Sequence, residues 1–426
     1  MDAARTKNVS LEDLQKIVGE EHARQATTED AVDGVSPSFV VEPGTLEETS
    51  ELMKLANEEG LTAAPRGGGT KMRWGNPPRD LDLIVSTARM NEVIEHVPGD
   101  QVVRVEAGTK LRDLQDQLSA SNQMLGIDPP EKDAGTTIGG IVAANSSGPR
   151  RYRYGTIRDL IIGITVVLAD GTVAKAGGKV VKNVAGYDLA KLFTGSFGTL
   201  GIVANCNFRL HPLQEAARTV TVELDSTLAA KETAQAIMHA QLVPSALELH
   251  WSENVGLLTV LIEGIPPSVE AQAEAASYLL KGFGEVRTLS DEEASNLRPS
   301  SPPDTGDKVE IKISAPPAEL ASVLDSVLGA CGRKGVTARI TGHAGTGVTY
   351  VALSGEEEIK VGVVEELREI WVRRGGSLVV REAPLSFKKR LDAWDPAGDY
   401  LGLTRRVKGK FDPRGILNPG RFIGGI

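Results

Sequence analysis

The sequence predicts an α+β protein of two domains, and three observations support this fold class. Strand-like and helix-like stretches alternate along all 426 residues, a length that corresponds to two or three domains. After about residue 213, the order strand–helix–strand–strand–helix–strand occurs twice. This is the pattern of ferredoxin-like units, so it predicts a large antiparallel sheet with helices. Before residue 205, three glycine-rich segments follow or interrupt strand-like stretches.

The first half of the chain carries recognisable helix and strand signals. Ser10 is a predicted N-cap of a helix over residues 9–20, and Thr45 is a predicted cap of a helix that ends at Gly60. Asp170-Gly171 predicts the turn of a hairpin, since apolar residues alternate on the strand before it. Further strands are predicted at 38–42, 61–65, 81–87 and 102–108, with a helix at 111–121.

The second half contains the repeated pattern without obvious sequence identity between the repeats. The helix after the KVEIKIS strand shows apolar residues at helical spacing: Leu320, Val323, Leu324, Val327 and Leu328. The acidic run at 356–358 predicts the N-terminus of another helix, because acidic side chains are favoured there. The two repeats are therefore expected to share the order of their strands and helices but not their sequences.

Composition narrows the classes of partner. The chain has 47 basic and 57 acidic residues, a net charge of −10, and no basic block, which argues against nucleic acid or an anionic membrane as the main partner. Cys206 and Cys331 lack metal-ligand spacing and are expected to be reduced thiols of a cytoplasmic protein. Neither a signal peptide nor an apolar run of about 20 residues is present, so any membrane contact is expected through partners.

The first glycine-rich segment is PRGGGTKMRWG at residues 65–75. Glycine lacks the Cβ that would hold a ligand away from the backbone, and successive N–H groups in such a turn bind anions. Gly67, Gly68 and Gly69 could therefore cradle phosphates, with a hydroxyl from Thr70. The segment matches neither standard phosphate loop, and by itself it favours a surface turn over a phosphate site.

Two further segments favour a ligand site. Residues 133–155, DAGTTIGGIVAANSSGPRRYRYG, combine glycines with short polar side chains and almost no bulky ones. Residues 186–203, GYDLAKLFTGSFGTLGIV, again place glycines just before a strand. Small and short polar residues suit a flat polar ligand that packs against main chain. The three segments together predict such a site.

The motifs and their order along the chain resemble those of the FAD-binding flavoproteins of the vanillyl-alcohol oxidase and p-cresol methylhydroxylase type. The motifs are, from the N-terminus, RGGGT, EAGT, GGIVAANSSG with RYRYG, DLAKLFTGSFGTLGIV and FDPRGILNPGR. Within that superfamily, KNVAGYDLAKLFTGSFGTLGIV is most similar to the FAD-binding subunits of bacterial glycolate oxidases. The resemblance covers residues 37–213 and the final 20 strongly, and the middle only in the order of elements. It implies an N-terminal extension (1–36), an FAD-binding domain (37–213), a cap domain (214–395) and a C-terminal segment that returns to the FAD domain (396–426).

The resemblance also implies a role for each motif. The first segment would wrap the FAD pyrophosphate, the second would line the rest of the dinucleotide and the flavin edge, a strand would reach the adenine side, and the C-terminus would return to the flavin. The implied cofactor-binding residues are, in that order, Arg66, Gly67, Gly68, Gly69, Thr70 and Lys71; Gly135, Thr136, Thr137, Gly139, Gly140, Asn145 and Gly148; Ile202 and Val203; and Asn418.

The flavin is expected to be bound non-covalently. Several relatives attach it through a histidine just after the glycine run, but that position here is Thr70. None of the six histidines lies within 25 residues of Thr70. FAD is therefore the predicted cofactor in a dissociable form.

Related 2-hydroxy-acid dehydrogenases carry a metal-type motif, H-A-G-D-G-N-x-H with a later E-H-G, in the second domain. His343 and Glu382 match the first histidine and the glutamate, while Thr346, Tyr350 and Ala383 replace the other groups. Two ligands hold a metal poorly, so no metal site is predicted, His343 is expected to be structural, and no catalytic residue is assigned.

The predicted function is that of the FAD-binding subunit of a glycolate oxidase or similar 2-hydroxy-acid dehydrogenase complex. A paralogous flavoprotein subunit and an iron–sulfur subunit would be its partners. The alternatives are a stand-alone dehydrogenase for a hydroxy acid such as lactate, and a non-catalytic scaffold. Four arginines, Arg66, Arg151, Arg153 and Arg381, could bind a substrate carboxylate, or else contact phosphate or solvent.

Overall fold

The computed structural model describes residues 9–130, 135–178, 188–252, 255–290, 292–294 and 308–426. The chain forms two compact units. Unit 1 comprises Met1–Ser147, Thr156–Pro212 and Pro396–Ile426, and unit 2 comprises Gly148–Gly155 and Leu213–Asp395. Unit 2 is thus inserted into unit 1 along the chain. The sequence-based boundaries do not separate Gly148–Gly155 from its neighbours.

Unit 1 contains two sheets and a short strand pair. The first sheet has the order β1-β2-β4-β3 and the second has the order β5-β6-β10-β8-β9, while β7 pairs with β11. The strands are β1 Ala23–Gln25, β2 Phe39–Val41, β3 Ala63–Arg66, β4 Leu83–Ser86, β5 Val93–Val97, β6 Val102–Glu106, β7 Gln123–Met124, β8 Ile161–Val167, β9 Val173–Gly177, β10 Ile202–Arg209 and β11 His211–Pro212.

The helices of unit 1 begin and end with the caps that the sequence predicts where such caps were identified. Ser10 forms a capping box with Asp13, Thr45 accepts from the N–H of Glu48, and Gly60 adopts the left-handed conformation at φ 70°. The helices are Leu11–Val18, Leu46–Glu59, Leu111–Ser119, Ile138–Ala144, Ile157–Leu160, Leu189–Phe193 and Leu401–Phe411, with 3-10 turns at Glu20–His22, Thr28–Asp30, Pro98–Asp100 and Ile423–Gly425.

Strand β4 lies at the centre of the first sheet and is buried over its whole length. It runs parallel to both β2 and β3. The sequence predicts alternation of buried and exposed residues here, but parallel strands are usually covered on both faces, so every residue is apolar or small. The carboxyl end of β3 leads directly into the first glycine-rich segment.

Unit 2 is built on one eight-stranded sheet of order β15-β12-β14-β13-β17-β18-β16-β19. Its strands are β12 Ala216–Leu224, β13 Ala246–Ser252, β14 Val255–Gly264, β15 Val286–Leu289, β16 Val309–Ser314, β17 Thr337–His343, β18 Val348–Ser354 and β19 Ser377–Glu382. Its helices are Arg151–Tyr154, Thr227–His239, Pro266–Leu280, Leu320–Lys334, Glu357–Arg373 and Leu385–Lys388, with a 3-10 turn at Pro317–Glu319.

This topology confirms the predicted pair of ferredoxin-like units. Each four-stranded half has two helices between its strands, and the halves join where β13 pairs antiparallel with β17. Apolar side chains of one sheet face, such as Leu249, Val260, Ile311 and Val351, form one core with the long helices. Because side chains alternate along a strand, the remaining residues of these strands lie on the opposite face.

The last segment of unit 1 is fixed by a buried ion pair. Lys408 contacts the Asp412 carboxylate at 2.6 Å and donates to the carbonyl oxygens of Thr199 and Leu417 at 2.7 and 2.9 Å. Asp412 also accepts from the N–H groups of Ile416 and Leu417. The helix Leu401–Phe411, which the sequence reasoning did not assign, thus orients the ILNPG motif. Within the described ranges, no helix combines the length and apolar composition needed to cross a membrane.

We predict that Lys408→Met lowers the free energy of unfolding by about 3 kcal/mol, since removing one partner of a buried ion pair leaves the other charge uncompensated. The Asp412 side chain is fully buried, so it cannot recover its hydration. The measurement is urea unfolding followed by circular dichroism. Lys410→Met on the exposed side of the same helix is the control, and equal effects of the two substitutions would contradict the prediction.

Candidate cofactor site

A cavity of unit 1 that is open to solvent lies where the predicted glycine-rich segments meet. Residues from the first, second and third segments and from the C-terminal motif line it. They are Pro65, Gly67, Gly68, Gly69, Thr70, Lys71, Met72, Thr136, Thr137, Gly140, Ala143, Ala144, Phe197, Gly198, Asn418 and Arg421.

Two glycines of the first segment are required by the closeness of the second segment. A Cβ on Gly67 would lie 2.0 Å from Oγ1 of Thr137, and a Cβ on Gly68 would lie 2.0 Å from the carbonyl oxygen of Gly135. Neither position can therefore hold a side chain without displacing the neighbouring segment. The N–H groups of Gly67, Gly68 and Gly69 donate to no backbone carbonyl of the described residues.

Polar side chains join the same two segments. Nζ of Lys71 donates to Oγ1 of Thr136 at 2.8 Å and to Oγ1 of Thr70 at 3.1 Å, and the two hydroxyl oxygens are 3.2 Å apart. The ammonium also lies 5.5 Å from the ring centre of Trp74. The cation is thus held at the cavity wall by hydroxyl groups and an aromatic ring.

The second segment is helical where the sequence suggested a loop. Thr137 caps the helix Ile138–Ala144 by accepting from the N–H of Gly140. A Cβ on Gly139 would lie 2.7 Å from the Cβ of Ala107, so this glycine allows the helix to pack against the EAGT motif. The N–H of Gly139 donates to the carbonyl of Ala107 at 2.7 Å. Gly139 therefore fixes the position of this helix, other residues of which line the cavity.

The C-terminal motif reaches the cavity together with the third segment. The N–H of Asn418 donates to the carbonyl of Ala63 on β3, and its side-chain amide donates to the carbonyl of Phe197 at 2.7 Å. Phe197 and Asn418 both have positive φ, 60° and 46°. Such backbone is uncommon for non-glycine residues and is found where the surrounding structure fixes it, often at functional sites.

Arg421 contributes a second cation to the wall, and the sequence reasoning missed it. Its side chain is almost fully buried and donates to the carbonyl oxygens of Met72 and Trp74. The guanidinium lies 5.3 Å from the ring centre of Phe197. Burial lowers the pKa of Arg421 to about 10, which leaves it protonated at neutral pH. Its position directly after the NPG turn is the sequence feature that could have identified Arg421 as a cavity residue.

The structure places the predicted cofactor residues in different surroundings. Nine of them line the cavity: Gly67, Gly68, Gly69, Thr70, Lys71, Thr136, Thr137, Gly140 and Asn418. Gly135 and Gly139 do not line the cavity, but Gly135 lies against Gly68 and Gly139 lies against Ala107. Asn145 ends the helix Ile138–Ala144 in the left-handed conformation. Ile202 and Val203 use their main chain to pair with β8. Gly148 belongs to unit 2. The predicted contacts of all these residues with a cofactor stay predictions.

The side chain of Arg66 is directed to a buried carboxylate. Nη1 of Arg66 contacts Asp30 at 2.9 Å, and Arg24 binds the same carboxylate through two nitrogens. These cations, with the N–H of Thr27, hold the pKa of Asp30 well below its usual range, with the hydrogen bond from Arg24 the largest cause. Asp30 therefore fixes the strand end from which the first glycine-rich segment starts.

The eroded metal-type motif lies in unit 2. His343 ends β17, is 3% exposed, and packs edge-on against Tyr350 with 5.4 Å between ring centres. Burial and the positive charges of Arg151, Arg381 and Lys312 lower the pKa of His343 well below its usual value. Among the residues that the structure describes, no group of three or more His, Cys, Asp or Glu side chains could hold a metal ion.

Family comparisons agree with the position of the cavity. The family described as "FAD binding domain" matches residues 37–177, and the family described as "FAD linked oxidases, C-terminal domain" matches residues 305–422. The first range contains both segments that approach each other at Gly67 and Gly68, and the second contains Asn418 and Arg421. The chain is an FAD-linked oxidoreductase that contains both of these domains.

Individual relatives lead to the same family. The glycolate oxidase subunit GlcD of Bacillus subtilis is 28% identical over 91% of this chain and 89% of its own length. The D-lactate dehydrogenase of Archaeoglobus fulgidus is 27% identical over 90% of this chain and 91% of its own length. The solved structure of p-cresol methylhydroxylase with substrate bound superposes with a TM-score of 0.78 at 18% identity, covering 98% of both chains. That likeness confirms the predicted fold.

The residues at the cavity fit the FAD of this oxidoreductase family. The cofactor carries two phosphate charges, which need oriented dipoles and cations in a protein of net charge −10. Backbone N–H groups at Gly67–Gly69, together with Lys71 and Arg421, supply both. The apolar lining from Ala143, Ala144 and Phe197 suits a flat ring system.

We predict that Gly68→Ala reduces the affinity for FAD by more than tenfold, since the added methyl group would displace Gly135 and open the junction of the two segments. The measurement is FAD content by absorbance and titration of the apoprotein, with the melting temperature recorded. Gly99→Ala is the control, because a Cβ there meets no atom within 4 Å. Full FAD occupancy in Gly68→Ala would contradict the assignment of the site.

A second prediction concerns how the free energy of unfolding depends on pH. The depressed pKa of Asp30 means that its contribution to stability is complete above its unfolded pKa of about 3.9 and is lost as the pH falls below that value. Asp30→Asn should lower the free energy of unfolding at pH 7 by about 1–3 kcal/mol and flatten the dependence of this free energy on pH below about pH 4. Denaturant unfolding at a series of pH values measures both effects. Parallel curves for the two proteins would show that Asp30 is not the titrating group.

Proposed function

We propose that this chain is the FAD-binding subunit of a glycolate oxidase or similar 2-hydroxy-acid dehydrogenase complex. The observation that carries the proposal is the match to a glycolate oxidase subunit over 91% of the chain. Matches of similar identity to D-lactate dehydrogenases place the chain among FAD-linked oxidoreductases of 2-hydroxy acids. Oxidation of glycolate to glyoxylate is the specific reaction proposed for the complex.

The proposed division of labour follows from the altered motif in unit 2. Thr346, Tyr350 and Ala383 stand where related 2-hydroxy-acid dehydrogenases carry metal-type or catalytic-type groups. Tyr350 and Ala383 cannot supply the imidazole that would bind a metal or accept a proton. In our proposal a paralogous flavoprotein subunit oxidises the substrate, and an iron–sulfur subunit receives the electrons. The complex would work in the cytoplasm and would meet a membrane only through its partners.

The residues of unit 1 would hold the cofactor in this scheme. Gly67–Gly69, Lys71 and Arg421 would bind its diphosphate, and Asn418 would hold the C-terminal motif against the cavity. Bound FAD supplies the capacity to accept two electrons as a hydride from a carbon that bears a hydroxyl group. The protein groups bind and orient the cofactor, and the apolar wall limits access of water to it.

The second candidate is a stand-alone D-2-hydroxy-acid dehydrogenase of the lactate type. The match to the archaeal D-lactate dehydrogenase over 90% of the chain supports it. A scaffold without any flavin is not supported, because the matched FAD family and the cavity agree. The two remaining candidates differ in whether the isolated chain can oxidise a substrate.

We predict that glycolate and D-lactate leave the flavin of the isolated chain largely oxidised, whereas glycolate reduces the flavin of the reconstituted complex. The measurement is anaerobic stopped-flow absorbance near the flavin maximum, with acetate as the control because it lacks the hydroxyl group. Rapid bleaching of the isolated chain by D-lactate would favour the stand-alone enzyme. A complex that turns over glycolate equally well without this chain would refute the subunit assignment.

A further inference from the structure

The helix Leu401–Phe411 of unit 1 is positively charged, although the whole chain has a net charge of −10. Four of its 11 residues are basic and none is acidic. One side of the helix packs on the core of unit 1 through Val407 and Phe411. The opposite side, which we call the outer face, is exposed and consists of Gly402, Leu403, Arg405, Arg406, Gly409 and Lys410.

The cations of the outer face are not paired with carboxylates. Arg405, Arg406 and Lys410 form no ion pair within the part of the chain that the structure describes. The acidic residue that follows the helix, Asp412, is buried and is bound by Lys408 on the inner side. Carboxylates of a partner could therefore pair with the three exposed cations without breaking an ion pair of this chain.

Two glycines on the outer face are not required by the fold of this chain. A Cβ on Gly409 would meet no atom within 4 Å, and a Cβ on Gly402 would meet only the end of the Arg406 side chain at 3.8 Å. Glycine inside a helix costs about 1 kcal/mol relative to alanine. Positions seven apart lie on the same side of a helix. The two glycines thus leave a bare strip along which the backbone of a partner could approach closely.

The apolar residues of this region fit a protein partner better than a membrane. Tyr400 and Leu403 are 51% and 56% exposed and lie three residues apart, so they can act as anchors in a contact that also contains arginines. A helix that lies in a membrane surface needs a continuous apolar face. Here Val407 and Phe411 are already packed on the core of unit 1.

The helix also lies directly behind the wall of the cofactor cavity. Lys408 donates to the carbonyl oxygens of Thr199 at 2.7 Å and of Leu417 at 2.9 Å. The residues next to these two in the sequence, Gly198 and Asn418, line the cavity. A protein that docks on the outer face would therefore be separated from the cofactor cavity of unit 1 by a thin layer of protein.

We propose that the outer face of this helix docks an acidic surface of an iron–sulfur protein that exchanges electrons with the flavin. The choice of an iron–sulfur partner rests on the proposed function, whereas the docking face rests on the charges, glycines and exposed side chains of the helix. A helix of 11 residues is about 16 Å long. This length suits the small interfaces of electron-transfer encounters, in which opposite charges guide the approach.

The binding test is calorimetric titration of the FAD-loaded chain with an acidic [2Fe–2S] ferredoxin at an ionic strength of about 0.01 M, where charges act over about 30 Å. We expect a dissociation constant of about 100 μM or tighter, with at least tenfold weaker binding at about 0.15 M salt. The combined substitutions Arg405→Glu, Arg406→Glu and Lys410→Glu should weaken binding at least tenfold at low salt. Gly409→Leu keeps the charge but fills the bare strip, so it should also weaken binding without lowering the melting temperature.

The matched control carries Lys110→Glu, Arg112→Glu and Lys175→Glu, which change the net charge equally at exposed positions elsewhere in unit 1. It should retain most of the affinity for ferredoxin. Equal affinities of the two triple variants would overturn the docking face, as would unchanged binding by Gly409→Leu. Absence of ferredoxin binding by the wild type would also overturn it, including when the chain binds vesicles of phosphatidylglycerol instead.

Purification of the native complex through a tag on this chain separates the docking face from the proposed function. The measurement is iron content per flavin. Iron in the wild-type complex and its loss in the Arg405, Arg406 and Lys410 triple variant would support both proposals. Wild-type protein without iron would refute the proposed function, while the ferredoxin titration would still decide the docking face. Equal iron in the wild type and this variant would overturn the docking face and leave the function standing.

Discussion

The cavity of unit 1 depends on one close approach of main chain to main chain. Gly68 lies so near the carbonyl of Gly135 that a single methyl group would not fit, and Gly67 meets Thr137 in the same way. This contact brings the first segment, which follows strand β3, against the cap of a helix. Lys71 then reaches the hydroxyl of Thr136 across the junction. Without this approach, the lining residues would belong to separate loops and would form no common wall.

Neutral groups help to position buried cations in both units. In unit 1, Lys71 is held by hydroxyls and Arg421 by carbonyl oxygens and an aromatic ring. In unit 2, Arg381 contacts both the carboxylate of Glu310 and the ring of Tyr350. Arg66, in contrast, is paired with the buried carboxylate of Asp30.

Much of the fold could be predicted because its signals are local. Caps such as Ser10 and the turn at Asp170-Gly171 lie within a few residues of what they control, and the repeated strand and helix periods gave the ferredoxin-like topology. The side chains that are neighbours across the sheet of unit 2 could not be predicted in the same way, since their pairing depends on the register between strands that are far apart in sequence. Arg421 was missed for a related reason: its partners Met72 and Trp74 are about 350 residues away. Composition alone also gave no reason to expect a helix within the glycine-rich segment at 138–144.

The path of the chain through the two units has a consequence for biosynthesis. Asn418 and Arg421 line the cofactor cavity, yet they are translated only after all of Leu213–Asp395. The ribosome therefore completes the entire inserted sheet before the cavity wall exists. Folding of domains during synthesis generally proceeds from the N-terminus. The glycine-rich segments are therefore synthesised before their C-terminal contacts, and they lack these contacts while the hydrophobic core of unit 2 forms. Cofactor capture is thereby delayed to a late stage of maturation, and nascent chains that stall within unit 2 would remain colourless.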